Sequence, residues 1–167
     1  MMGTLAICSY FVWSIIDATR CTRKSQDVVQ QMQSLHWILP VSRSERNWFV
    51  FGLSTSAGIC EELLFRGFLL AYLSNYMSMP IAVLLSSLLF GLGHLYQGWQ
   101  GVLRTAVMGL IFAGIYLWSG SLFIVIALHF AVDAYSGQLH YGAYLKTKNT
   151  SATVNGARPS PGTESRD

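Results

Sequence analysis

Apolar residues fall in five runs along the chain. They cover Met2–Ala18, Trp48 to about Leu73, Pro80–Tyr96, Gly101–Trp118 and Ser121 to about Leu139. Runs approaching 20 residues are what an α-helix needs to cross about 30 Å of hydrocarbon. The connections at 74–79, 97–100 and 119–120 are short, so successive helices are antiparallel neighbours. Pro80 suits a first helical turn, and "FGLSTSAG" (51–58) offers Gly and small hydroxyl residues where the second helix can kink or start. Between the first two runs, residues 19–46 form a polar linker. Val28, Met32, Leu35 and Leu39 make one stripe there, with Trp37 near its end, and predict an interfacial amphipathic helix. From Thr147 the chain is rich in Ser, Thr, Asn, Gly and Pro without an apolar period, and residues 141–167 read as a disordered tail. The expected fold is an all-α membrane protein, a polytopic bundle of about five transmembrane helices. It divides into an N-terminal helix (1–18), a cytoplasmic or interfacial linker (19–46), a four-helix core (47–140) and the tail.

Composition supports lipid as the main solvent. Of the 167 residues, 52% are hydrophobic and 11% charged, against roughly 25% charged in soluble domains. Between Asn47 and Leu145 the charged side chains are Glu61, Glu62, Arg66, Arg104 and Asp133. Five spans place Arg20, Arg23, Lys24, Arg43, Arg46, Arg104, Lys146, Lys148, Arg158 and Arg166 on one side, which is ten of the eleven basic residues. By the positive-inside rule the linker and tail are cytoplasmic. The net charge of +3 then reflects topology, not nucleic-acid binding. The first run has no basic leader and no small-residue cleavage pattern, which favours a retained span over a signal peptide. That span is short, as expected of a shortened form of a longer protein. Cys8, Cys21 and Cys60 have no paired or metal-type spacing, and Cys8 and Cys60 read as buried apolar residues.

Ionisable groups inside spans are costly and usually face a cavity or a partner. Here they form three patterns: Glu61-Glu62-x-x-x-Arg66, Phe90-x-x-x-His94 and His129-x-x-x-Asp133. Residues four apart share a helix face. Glu62 can pair with Arg66, while Glu61, rotated by about 100°, faces elsewhere. Asp133 can orient His129, and Gly91 and Gly93 allow close helix contact near His94. The antiparallel order brings the groups into the cytoplasmic half of the bundle. Taken singly, Glu62–Arg66 is a neutralised structural pair, each histidine a packed core residue, Phe90 a packing residue and Arg104 a topology anchor. His36 and His140 read as incidental, and Trp48, Trp99 and Trp118 as interfacial belts. Taken as a set, a glutamate and a histidine facing one water can activate it against a carbonyl, and His129 with Asp133 can stabilise the oxyanion or protonate the leaving amine. Alternatively, Glu61, His94 and His129 can hold Zn²⁺ with one position open for water. The local spacing does not choose between the two.

In this order on successive apolar segments, EExxxR, FxxxH and HxxxD resemble the CPBP (Abi) family of intramembrane proteases, which includes the CAAX prenyl endopeptidases. "EELLFRG" is especially close to the family's first motif. The resemblance spans about residues 47–140. It implies that Glu61 and His94 activate water and that Glu62 and Arg66 form a supporting ion pair. His129 and Asp133 would then stabilise the tetrahedral intermediate or complete a metal site. It also implies a membrane-associated peptide or protein substrate, such as a prenylated or leader peptide. Two other readings are a non-catalytic immunity or assembly relative that binds peptide or lipid, and a small ion or proton carrier.

Overall fold

A computed structural model describes residues 38–156, with side chains described as far as residue 150. Four helical rods make up the fold: α1 (Arg43–Ser74), α2 (Met79–Leu92), α3 (Gly98–Ser119) and α4 (Leu122–Gly156). A single 3₁₀ turn, Leu95–Gln97, precedes α3. Among the described residues there is no strand. α1, α3 and the Leu122–Thr150 part of α4 are long and apolar enough to cross a membrane, and α2 is a shorter apolar helix. Large apolar side chains cover the outside of the bundle, among them Phe51, Leu63, Phe68, Leu88, Leu103 and Phe123. Such a surface belongs in lipid, where only helices satisfy their own backbone groups. The chain is therefore an all-α integral membrane protein. The expected first span (1–18) and the amphipathic stripe as far as Trp37 lie outside the described residues. Leu39, the last residue of the stripe, is buried.

α1 begins earlier than the apolar pattern suggested. Ser42 Oγ accepts from the Glu45 N–H at 3.2 Å, and Glu45 Oε2 reaches back to accept from the Val41 N–H at 2.9 Å. This reciprocal cap starts the helix in a polar stretch. "FGLSTSAG" neither starts nor breaks the helix. Trp48–Leu53 is a wide π turn, and Ser54 Oγ donates to the Phe49 carbonyl at 2.9 Å beside it. A second π turn, Leu63–Leu69, follows the two glutamates. Turns of this kind are frequent at functional sites.

Pro80 lies in the first turn of α2 as expected. This helix stops at Leu92, not at Tyr96, and His94 leaves the helical path with φ −104° and ψ 22°. Gly98, at φ +76°, then turns the chain into α3, a conformation that glycine adopts without a Cβ clash.

Small residues hold the rods together. Gly91 on α2 meets α3 so closely that a Cβ there would lie 2.7 Å from the Val102 carbonyl oxygen and 2.8 Å from Ala106 Cβ. Gly109 rests on Ser87 and the Phe90 ring, and Gly58 on α1 lies against the backbone of α4 at Ile126 and Phe130. Close backbone approach through small residues is how membrane helices gain packing without a hydrophobic drive. Gly93, by contrast, meets only the carbonyls of its own helix. Gly91→Ala is therefore expected to cost about 1–3 kcal/mol through overpacking, and thermal unfolding in detergent would register it. Gly114→Ala, with open space around the added methyl, should keep or raise the midpoint. Equal midpoints for the two variants would remove the close-packing argument.

Two expectations change. α4 continues past Leu139 to Gly156, so the part of the 141–167 tail within the described residues is helical. Once a helix is nucleated, each added residue costs little. Thr147 and Thr150 also bond back to the Ala143 and Lys146 carbonyls, both at 3.0 Å. Tyr141 and Ala143 are buried, and the Arg46 guanidinium lies over the Tyr141 ring at 5.4 Å. Residues 157–167 lie outside the described part. Cys60 is exposed, not buried. It sits on a lipid-facing side of α1, where a thiol is a small apolar group.

Candidate active site

The site is built on the adjacent pair Glu61 and Glu62, whose side chains leave α1 in different directions. Glu62 turns into the bundle and is wholly buried. Its Oε1 accepts from Arg66 Nη1 at 3.0 Å and from His129 Nδ1 at 2.7 Å. Arg66 is buried as well. It donates from Nη2 to the Gly109 carbonyl at 3.0 Å and lies 4.5 Å above the Phe90 ring centre, with the Phe112 ring at 5.6 Å. One ion pair thus ties α1 to α2, α3 and α4. Its two charges neutralise each other, the condition under which buried charges are tolerated.

Glu61 turns toward a cavity. Its Oε2 is buried without a hydrogen-bond partner. It lies 3.8 Å from His94 Nε2 and 3.7 Å from His129 Nε2. The far nitrogen of each imidazole is fixed by an acceptor. His94 Nδ1 bonds to the Phe90 carbonyl at 2.9 Å, and His129 Nδ1 to the Glu62 carboxylate. Both acceptors take a proton, so the network assigns a hydrogen to each Nδ1 and directs each Nε2 into the cavity. Asp133 Oδ2 lies 3.6 Å from His129 Nε2. The separations of 3.6–3.8 Å exceed a direct hydrogen bond but suit a water touching two of the groups from the side. Phe90 packs edge-on against His129, and Phe112 lies 5.2 Å from that ring, so apolar surface backs the polar cluster.

The cavity has a volume of about 430 Å³, within the usual range for ligand sites. Phe49, Leu53 and Ala57 of α1 form one wall, and Gly101, Thr105, Met108 and Phe112 of α3 the other. Val132, Asp133 and Ser136 of α4 close the back, and Ile38 and Leu39 cover one edge.

All six residues singled out from the sequence converge. Glu61, His94, His129 and Asp133 face the cavity, while Glu62 and Arg66 stand behind them. His140 is buried at some remove, and its Nδ1 has no partner. Trp48, Trp99 and Trp118 are 74–86% exposed, as interfacial residues are, and line no cage around the site. Arg104, assigned only to topology, lines the cavity together with Gln97 and Gln100. The signal was available, since Gly101, Arg104, Thr105, Met108 and Phe112 recur at helical spacing on one face.

The metal reading used Glu61, His94 and His129. Among the described residues no group of three His, Cys, Asp or Glu side chains is placed to hold a metal ion. Glu61 stands 3.7–3.8 Å from both imidazoles, whereas ligands around one tetrahedral zinc stand roughly 3.3 Å apart. As they stand, the three side chains are spaced wider than a tetrahedral zinc site.

No curated protein and no solved structure matches the chain. The sequence does match Type II CAAX prenyl endopeptidase Rce1-like over residues 43–135. That stretch begins with the first residue of α1 and takes in every residue of the cluster, in keeping with the CPBP resemblance. It covers more than half of the chain, which therefore belongs to the Type II CAAX prenyl endopeptidase Rce1-like family.

Proposed function

We propose that this protein is an integral-membrane endopeptidase that hydrolyses a peptide bond of a membrane-associated substrate with a water activated by Glu61 and His94. One observation carries the reading: Glu61 Oε2 is an unpartnered buried acceptor facing the Nε2 atoms of two oriented imidazoles. A water there gives one proton to Glu61 while its other O–H donates a hydrogen bond to His94 Nε2. The resulting hydroxide attacks the substrate carbonyl carbon. With a second proton on Nε2, His129 donates to the developing oxyanion, and Asp133 and Glu62 balance that charge. Glu61 then passes its proton to the departing nitrogen as the C–N bond breaks, leaving a carboxylic acid and an amine, and the acid's proton moves to the amine to give a carboxylate and an ammonium. The Glu62–Arg66 pair keeps His129 in place and takes no proton. A CAAX-type prenylated peptide or a leader peptide suits the apolar walls. The basic residues of the linker, α3 and tail support a cavity end that faces the cytoplasm.

The test is cleavage of a library of membrane-associated peptides by purified protein in detergent, with and without a chelator. We expect one internal bond of a subset to be cut, at a rate that excess chelator leaves within about twofold, because no step uses a metal. Binding of peptides without cleavage would support the non-catalytic relative instead. Loss of cleavage in chelator would overturn the metal-free mechanism.

A further inference from the structure

Arg104 lies on the cavity stripe of α3, beside Gly101 and Thr105 and one turn before Met108. An arginine that served topology alone could point anywhere around the helix. The outward face is taken by Leu103, Val107 and Leu110, all exposed apolar residues, whereas Arg104, itself exposed, also lines the cavity. Among the described residues Arg104 makes no hydrogen bond or ion pair. Glu62, Arg66, His94, His129 and Asp133 all find partners within 4 Å, so Arg104 is an uncommitted cation in a cavity whose acids, Glu61 and Asp133, stand with the histidines. Eight residues of helix, about 12 Å, separate Arg104 from Phe112, which lies against the His129 ring. That is several residues of extended peptide between Arg104 and the level of His129. Gln100, one turn earlier on the same face, also lines the cavity and adds an amide donor.

We infer that Arg104, with Gln100, holds a carboxylate of the bound peptide and so sets which way the chain lies in the cavity. An acidic end is repelled from Glu61 and Asp133 and attracted to Arg104, which leaves the bond to be cut beside Glu61. Arg104 is a positioning residue, and the inference rests on the peptidase reading of the cavity.

The test measures binding, so it does not depend on turnover. Fluorescent apolar octapeptides are titrated against the intact protein carrying Glu61→Gln. One peptide has a free C-terminal carboxylate, one is its C-terminal amide, and one is the amide with a glutamate as last residue. The free acid is expected to bind about 10- to 100-fold more tightly than the plain amide, the range of a charge-assisted contact. Adding Arg104→Gln should bring that ratio to about one, and Arg104→Lys should keep part of it. Tight binding of the glutamate peptide supports the same carboxylate site with a side-chain source, whereas weak binding supports the chain terminus as the source. Binding of neither acidic peptide more tightly than the plain amide with Arg104 present, or a preference that survives Arg104→Gln, overturns the inference and returns Arg104 to topology. Failure of the wild-type protein to cut any peptide counts against the peptidase proposal, and the binding ratio still decides the role of Arg104.

Discussion

Glu61→Gln is expected to lower the rate of peptide cleavage by about 10²–10⁴-fold, the usual contribution of a general base, with almost no loss of stability. The two effects separate because Glu61 has little structural work to do. Its Oε2 makes no hydrogen bond within the protein, and its side chain is 30% exposed. Gln keeps the shape but cannot take a proton from water. Cleavage rates on matched, folded preparations, with thermal unfolding recorded alongside, would check this. A rate within threefold of wild type at an equal midpoint would show that the base lies elsewhere. His94→Ala offers no equally clean comparison, because it also removes the ring packed on Phe90 at 5.1 Å.

Glu62, one residue away, should behave in the opposite sense. Glu62→Gln leaves the Arg66 charge buried without a counter-charge, which typically costs about 3–5 kcal/mol. We expect low yield of folded protein and an early unfolding midpoint before any question of activity arises. Glu62→Gln combined with Arg66→Met should recover much of the stability, since an apolar replacement of a buried pair is often tolerated. The non-additive part of this cycle measures the coupling between the two residues. A stable single Glu62→Gln variant would mean that packing, not the ion pair, fixes this part of the bundle.

The contrast between neighbouring glutamates was half legible in the sequence. Helical spacing pairs Glu62 with Arg66 and turns Glu61 away, because both relations lie within one helix. The partner of His129 was not legible. Spacing suggested Asp133, four residues on, yet the 2.7 Å bond goes to Glu62, 67 positions away, while Asp133 stays at 3.6 Å. A tertiary contact leaves no trace in local periodicity. Arg104 was missed for another reason: the positive-inside rule explained it fully, so its place on the face of Gly101 and Met108 was not weighed. The four core helices followed from the apolar runs, but the start of α1, the start of α3 and the ends of α2 and α4 did not. Ser42 and Glu45 start α1 by side-chain bonds that hydropathy ignores. The burial of Tyr141 and Ala143 carries α4 into residues whose composition resembles a loop.

The short second helix bears on how the proposed hydrolase would obtain water inside lipid. α2 has 14 residues, about 21 Å of rise against about 30 Å of hydrocarbon. If it starts at one face of the bilayer, it ends well below the other, and the chain continues through His94 and the 3₁₀ turn as irregular backbone. Such backbone is stable at that depth only against protein or beside water. On the peptidase reading, the short helix offers a wet inlet at His94, through which water would arrive while an apolar peptide enters from the side.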